Sequence, residues 1–259
     1  MQSAALEWIK HLYALQFSSY YLRLRNIRDG ENIRRVQYIL NSDVASSRLK
    51  FASMLYCDGY LEAAVRVLED VEMKYHSKVK AVCGSRGLQG DSDLKVFADM
   101  LSGTTENEFS EVPFASCVRF LRQEAHCTPF ILLFEMNRNI TQAEVVRRKF
   151  FEKRWMDSAE VDSRPFLYYL QYLTYGGIRD RDNQIHAMRA LTSYIFDIIG
   201  NCRIKLYHPE TALNLLGHCY EMEEDYERSL FCYEGSLKIF DTNNAANWHV
   251  RRILRLISG

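Results

Sequence analysis

Apolar residues recur at helical spacing along most of this 259-residue chain, so its pattern predicts helices before anything else. Leu6, Ile9, Tyr13 and Phe17 form one stripe and predict a helix over Ser3–Phe17. Residues 20–28 alternate Leu22, Arg23, Leu24, Arg25, a pattern open to strand or helix that its helical neighbours turn towards helix. Asp29-Gly30 breaks the run, Ile33–Leu40 resumes it, and Ser42-Asp43 offers a cap for the next helix. Val44–Cys57, the turn Asp58-Gly59-Tyr60 and Leu61–Tyr75 then read as a helical hairpin. Ala52 and Ala64 are its small packing residues, and Leu61, Ala64, Leu68, Val71 and Tyr75 share one face.

From Ser77 to Val112 the periodicity weakens. Gly84, Gly87, Gly90 and Gly103 lie among Ser, Asp, Thr and Asn, which predicts a loop with one short helix over Asp93–Leu101. Pro113–Cys127 fits a helix through Phe114, Val118 and Leu121, or a short strand through Val118 and Phe120. Thr128-Pro129 starts a helix, and Thr141-x-x-Glu144 is a capping box that opens Gln142–Trp155. Arg164-Pro165 begins a helix through Tyr175, stopped by Gly176-Gly177. Asp182–Gly200 completes that hairpin, with Ala187, Ala190, Leu191, Tyr194 and Ile198 inward. Pro209 opens the next hairpin. Ala245–Ser258 closes the chain as an amphipathic helix, with Val250, Ile253, Leu254 and Ile257 on one face and Arg251, Arg252 and Arg255 on the other.

One window carries more than periodicity. Leu213-x-x-Leu216-Gly217-x-x-Tyr220 is followed by Ser229-x-x-x-Tyr233-x-x-Ser236 and then by Asn243-Asn244-Ala245-Ala246-Asn247-Trp248. Gly217 lets the second helix cross close to the first, Ser229 fills the facing slot, and Tyr220 and Tyr233 fill the wedge. This window resembles a tetratricopeptide repeat. Ser229 and Ser236 stand where that family has Ala, Thr242 where it has Pro, and one extra residue near Phe240 lengthens the second helix. In the family, the face of the first helix that holds Asn214, His218 and Glu221 lines a concave groove for partner peptides. The resemblance therefore implies partner binding there, although His218 and Glu221 stand where carboxylate-clamping members have cationic or amide groups. A second resemblance runs from Asp162-Ser163-Arg164-Pro165-Phe166-Leu167-Tyr168-Tyr169-Leu170-Gln171-Tyr172-Leu173 through Tyr207-His208-Pro209-Glu210 to Ala245-Ala246-Asn247-Trp248-His249-Val250-Arg251-Arg252. It is similar to the helical C-terminal regions of invertebrate male-abnormal (Mab)-type nucleotidyltransferase-like proteins, which implies an accessory role beside a nucleotide-sensing domain.

Composition narrows the class. Hydrophobic residues make up 47% and charged residues 25%, with four prolines and 12 glycines, a mix that favours long helices. The 33 Lys+Arg balance the 33 Asp+Glu, so no global charge points to nucleic acid. Seven cysteines lie far apart without a CxxC pair, which supports neither a disulfide framework nor a zinc ribbon. Glu7 and Lys10 interrupt the first apolar residues and argue against a secretory leader. The longest apolar run, Pro129–Phe134, is far shorter than a membrane span. The chain is expected to be soluble and cytoplasmic. Because it enters directly into a helix, it is also expected to be the C-terminal part of a longer protein.

Candidate chemistry is sparse. Gly84-x-x-Gly87-x-x-Gly90 lacks the preceding strand and the Lys-Ser/Thr of a phosphate-binding loop. Gly84-Ser85 with Asp91-Ser92-Asp93 lacks the spacing of a nucleotidyltransferase metal pair. Glu124, His126 and Cys127 place an acid, a base and a thiol in one stretch, but nucleophilic sites are assembled from distant segments. Arg147-Arg148-Lys149 with Lys153-Arg154, and Arg23, Arg25, Arg28, Arg34 and Arg35, read as solvated helix faces.

The expectation is an all-α, right-handed α-solenoid of tetratricopeptide-like hairpins with a long internal loop and a C-terminal capping helix. Residues 1–76 would be degenerate hairpins, 77–112 the loop, 113–206 repeat-like hairpins, and 207–259 the clear repeat with its cap. Function would be non-catalytic: a scaffold or adaptor that holds a protein or peptide through Asn214, His218 and Glu221, with no cofactor, metal or membrane. Leu213, Leu216, Gly217, Tyr220, Ser229, Tyr233, Ser236 and Trp248 would be packing residues of the repeat. The competing classes are an enzyme and a nucleic-acid-binding helical repeat.

Overall fold

A computed structural model of the chain describes residues 43–76, 79–83, 113–138, 146, 158–200 and 206–258, with side chains described to residue 197 in the helix that ends at Gly200. The helices expected over 3–17, 20–28, 33–40, 93–101 and 142–155 lie outside these residues, apart from the single described residue Val146. What is described is mostly helical. Eight α-helices occur among the described residues: α1 (Ser46–Cys57), α2 (Leu61–Lys74), α3 (Phe130–Met136), α4 (Ser163–Gly177), α5 (Arg181–Gly200), α6 (Pro209–Met222), α7 (Tyr226–Ile239) and α8 (Ala246–Ser258).

Helix α4 sits at the centre. From Pro165 to Tyr175 every residue but Tyr168 is buried, the all-round burial expected of a helix with neighbours on every side. It packs against α5, its hairpin partner, and against α1, α2 and α6. Helix α6 in turn packs on α5 and α7, and α7 on α8, so the hairpins α1–α2, α4–α5 and α6–α7 touch in chain order. Leu68, Val71, Phe166, Tyr169, Leu170, Leu191, Leu213 and Leu216 belong to the one main core that runs through them.

The three hairpin turns are built alike. In each, the second residue past the helix takes a left-handed conformation: Gly59 (φ 82°), Arg179 (φ 64°) and Glu224 (φ 58°). The following amide then donates back to the carbonyl five residues earlier, Tyr60 to Leu55 at 2.8 Å, Asp180 to Tyr175 at 2.9 Å and Asp225 to Tyr220 at 2.9 Å. This is a Schellman closure of the helix end, for which glycine is the unstrained residue. The turns therefore align Asp58 with Glu223 and Tyr60 with Asp225. Arg179 and Glu224 hide the equivalence because neither residue type announces a left-handed turn.

Among the described residues, four short strands interrupt the helices. β1 (Lys80–Val82) pairs in parallel with β2 (Phe114–Ser116), Lys80 opposite Phe114. β3 (Val118–Leu121) pairs antiparallel with β4 (Ser158–Val161), Val118 opposite Val161. Thus the stretch 77–112, read as loop, contains a strand among its described residues, and 113–206 is not hairpins alone. Pro113–Cys127 resolves into β2, β3 and a 3₁₀ turn over Arg122–Cys127. β4 escapes a pattern reading because Ser158, Ala159, Glu160 and Val161 are all buried, leaving no alternation of faces.

Candidate functional site

Helical spacing places Asn214, His218 and Glu221 together along α6, and the structure shows what lies over them. Asn214 is wholly buried. Its amide donates to Glu135 Oε1 of α3 at 2.7 Å and to Asn244 Oδ1 at 3.3 Å. Glu135 also holds Arg138 through Nε at 2.8 Å, with both side chains 1% exposed, so Asn214 belongs to an interior polar brace. His218 Nδ1 meets the Tyr169 hydroxyl at 2.9 Å. Burial pushes its imidazole down to about 4, against the opposing pull of Glu221, so it is neutral at physiological pH. Glu221 accepts from Arg252 of α8 at 2.8 and 2.6 Å and from the Tyr233 hydroxyl at 3.0 Å. The face is thus closed by α3 and α8.

The residues read as packing positions are inward. Leu216, Ser229, Tyr233 and Ser236 are fully buried, Leu213 and Tyr220 nearly so, and Trp248 is half-buried. A Cβ on Gly217 would stand 2.7 Å from the Tyr233 ring, so glycine is needed there for the close approach. Tyr233 stacks on His249 of α8 at 4.8 Å between ring centroids, and His249 meets Phe134 edge-on, also at 4.8 Å. Burial, with the Arg252 charge adding to it, holds the His249 imidazole down at about 2.

Beyond this anchored part, α8 keeps an apolar face in solvent. Ala246, His249 and Ile253 are buried on the body and Val250 is half-buried. Leu254, four residues after Val250, and Ile257, four after Ile253, continue the same stripe but are 52% and 56% exposed; Leu256 beside them is 55% exposed. Arg251 and Arg255 are exposed next to them.

Glu124, His126 and Cys127 do not assemble a nucleophile. Glu124 is fully buried in an ion pair with Lys50 at 2.9 Å. The Cys127 thiol donates to the Glu124 carbonyl at 3.1 Å, and burial together with the Glu124 charge pushes it up to about 12. A thiol held protonated is a poor nucleophile.

A group unmarked in the sequence gathers at the junction of the two sheets. Cys83 follows β1, Cys117 joins β2 to β3, Glu160 lies on β4, and Asp162 and His208 precede α4 and α6. The Cys117 amide donates to the Val82 carbonyl at 2.9 Å, which brings the two cysteines together. Cys83 Sγ lies 3.3 Å from His208 Nε2 and 3.6 Å from Glu160 Oε1. Asp162 accepts from the Tyr207 and His208 amides at 3.1 and 2.8 Å and fixes the entry to α6. Burial raises both the Cys117 thiol and the Asp162 carboxyl above their ordinary values. Burial would lower the His208 imidazole, but Cys83, Glu210 and Glu160 outweigh it and hold it up at about 10. Sequence reading missed this group because its members are scattered and no two share a short motif.

Among the described residues, no helix is long and apolar enough to cross a membrane. No protein-family model, no curated protein and no solved structure matches the chain.

Proposed function

We propose that this chain is a non-catalytic interaction module of the helical-repeat type, which binds a partner polypeptide through the outer end of α8. The carrying observation is the apolar stripe of α8, which anchors the helix through His249 and Ile253 and then continues into solvent as Leu254, Leu256 and Ile257. An exposed cluster of large apolar residues at the end of a helix stack marks a contact surface. Arg251 and Arg255 beside it favour an amphipathic partner segment that carries acidic residues next to its apolar ones.

Support for a repeat architecture comes from the three equivalent Schellman turns and from hairpins that touch in chain order. It agrees with the tetratricopeptide-like window and with the resemblance to accessory helical regions of Mab-type proteins. Partner contact is placed on α8 in preference to the α6 face, because α3 and α8 themselves occupy Asn214 and Glu221.

The test is a paired capture experiment with the full chain and its Leu254→Glu/Ile257→Glu variant. Both positions are exposed, so the variant should unfold within about 0.5 kcal/mol of wild type. Proteins retained by wild type should be lost from the variant. An unchanged set of retained proteins would refute the assignment.

A further inference from the structure

We propose that Cys83, Cys117 and His208, completed by Glu160, form a closed structural site for a zinc ion that ties the two sheets to the start of α6. Cys83 Sγ, Cys117 Sγ and a ring nitrogen of His208 all lie within 4.8 Å of one another. The Glu160 carboxylate faces the same point, with Oε1 3.6 Å from Cys83 Sγ and Oε2 3.9 Å from His208 Nε2. Tetrahedral zinc with thiolate, imidazole and carboxylate ligands sets its donor atoms roughly 3.3–3.8 Å apart. The 3.3 Å from Cys83 Sγ to His208 Nε2 already meets that geometry, while Cys117, within 4.8 Å of both, and Glu160, which is outside that mutually close group, must swing inward to complete it.

The donor set selects the metal. Two thiolates and an imidazole are soft to borderline ligands that suit zinc and disfavour magnesium or calcium. All four donors are enclosed: His208 is 0% exposed, Cys83 and Glu160 4%, and Cys117 9%. A sealed four-ligand site has no open position for water or substrate, which makes it structural and not catalytic. Outer groups are arranged as metal sites require. Glu210 Oε1 lies 3.7 Å from His208 Nδ1, on the side of the ring away from Cys83, where an outer carboxylate would hold Nε2 towards a bound metal. Asp162 holds the His208 backbone amide at 2.8 Å.

Such a site has a clear structural use. β1–β2 and β3–β4 have three and four paired residues each, too few to be stable alone. A metal bound by ligands from after β1, between β2 and β3, on β4 and before α6 would cross-link all of them. Binding requires both thiols and the His208 imidazolium to deprotonate, and their protons leave to solvent as the ion enters.

The experiment is metal analysis of the full chain, purified without chelator and then exposed to zinc or cobalt(II) alone. About one zinc per chain is expected, with cobalt giving the intense thiolate charge-transfer and tetrahedral visible bands. Cys83→Ser/Cys117→Ser should lose at least about four-fifths of the metal, while Cys232→Ser, a buried cysteine elsewhere, should retain it. Since the double variant could also misfold, wild-type protein is stripped with a chelator; its melting temperature should fall and return when zinc is restored. No zinc or cobalt uptake by wild type, equal uptake by the double variant, or a Cys83–Cys117 disulfide in the purified protein would overturn the proposal.

Discussion

Acid should loosen this protein through α8, and the size of the effect follows from one histidine. His249 is fully buried, stacked on Tyr233 and edge-on to Phe134, and neither of its ring nitrogens has a hydrogen-bond partner. Its imidazole is held down at about 2 in the folded state, whereas the unfolded chain protonates near the ordinary value of about 6.5. Below that value the unfolded chain binds a proton that the folded chain refuses. The stability contributed by the neutral ring is therefore complete above about pH 7 and is lost as pH falls. Between pH 7 and pH 5 the loss is about 2 kcal/mol for this one group. His218, held down at about 4, adds a loss of the same sign and similar size. Urea titrations of wild type and His249→Phe at pH 7, 6 and 5 measure the difference directly. Phenylalanine keeps the stacking and removes two unsatisfied nitrogens, so the variant should be at least as stable as wild type at pH 7. It should then lose about 2 kcal/mol less on acidification. Equal pH slopes for the two proteins would refute the burial argument for His249.

Three other outcomes follow from particular contacts. Glu135→Leu removes the carboxylate that holds buried Arg138 and Asn214, and should cost about 3–5 kcal/mol in denaturant titration. Glu135→Leu/Arg138→Met, which removes both charges, should recover a large part of that loss. Glu224→Gly relieves a left-handed residue in an exposed turn and should raise stability by about 0.5–1 kcal/mol, whereas Gly59→Ala should lower it. The Cys127 thiol, pushed up to about 12 and buried, should resist iodoacetamide at pH 8 in native protein and react once denaturant is added, as read by peptide mass spectrometry.

Local signals carried the helices. Leu68, Val71 and their neighbours show the 3.6-residue period, and Pro209 and Gly176-Gly177 mark ends that the structure places within a residue or two. The same period put Asn214, His218 and Glu221 on one face. It could not show that Glu135, 79 residues away, and Arg252 would close that face, because coverage is a tertiary fact. β1 and β2 have three residues each and β4 is buried on both sides, so none shows an alternation to read. The cluster of Cys83, Cys117, Glu160 and His208 was invisible for a related reason. Its spacings are set by the sheets that intervene, not by a local motif. The turn equivalence was hidden for a third: Arg179 and Glu224 adopt the conformation of Gly59 without its chemistry.

Contact between the outer end of α8 and another polypeptide can be measured directly. A photo-activatable benzophenone side chain placed at Leu256 in the full chain reports on that surface in the cell, with Asp182 at the exposed start of α5 as the reference position. Irradiation should join the protein to a second polypeptide from position 256 and not from 182. No adduct at 256, or the same adducts from both positions, would contradict the assignment of α8 as the contact surface.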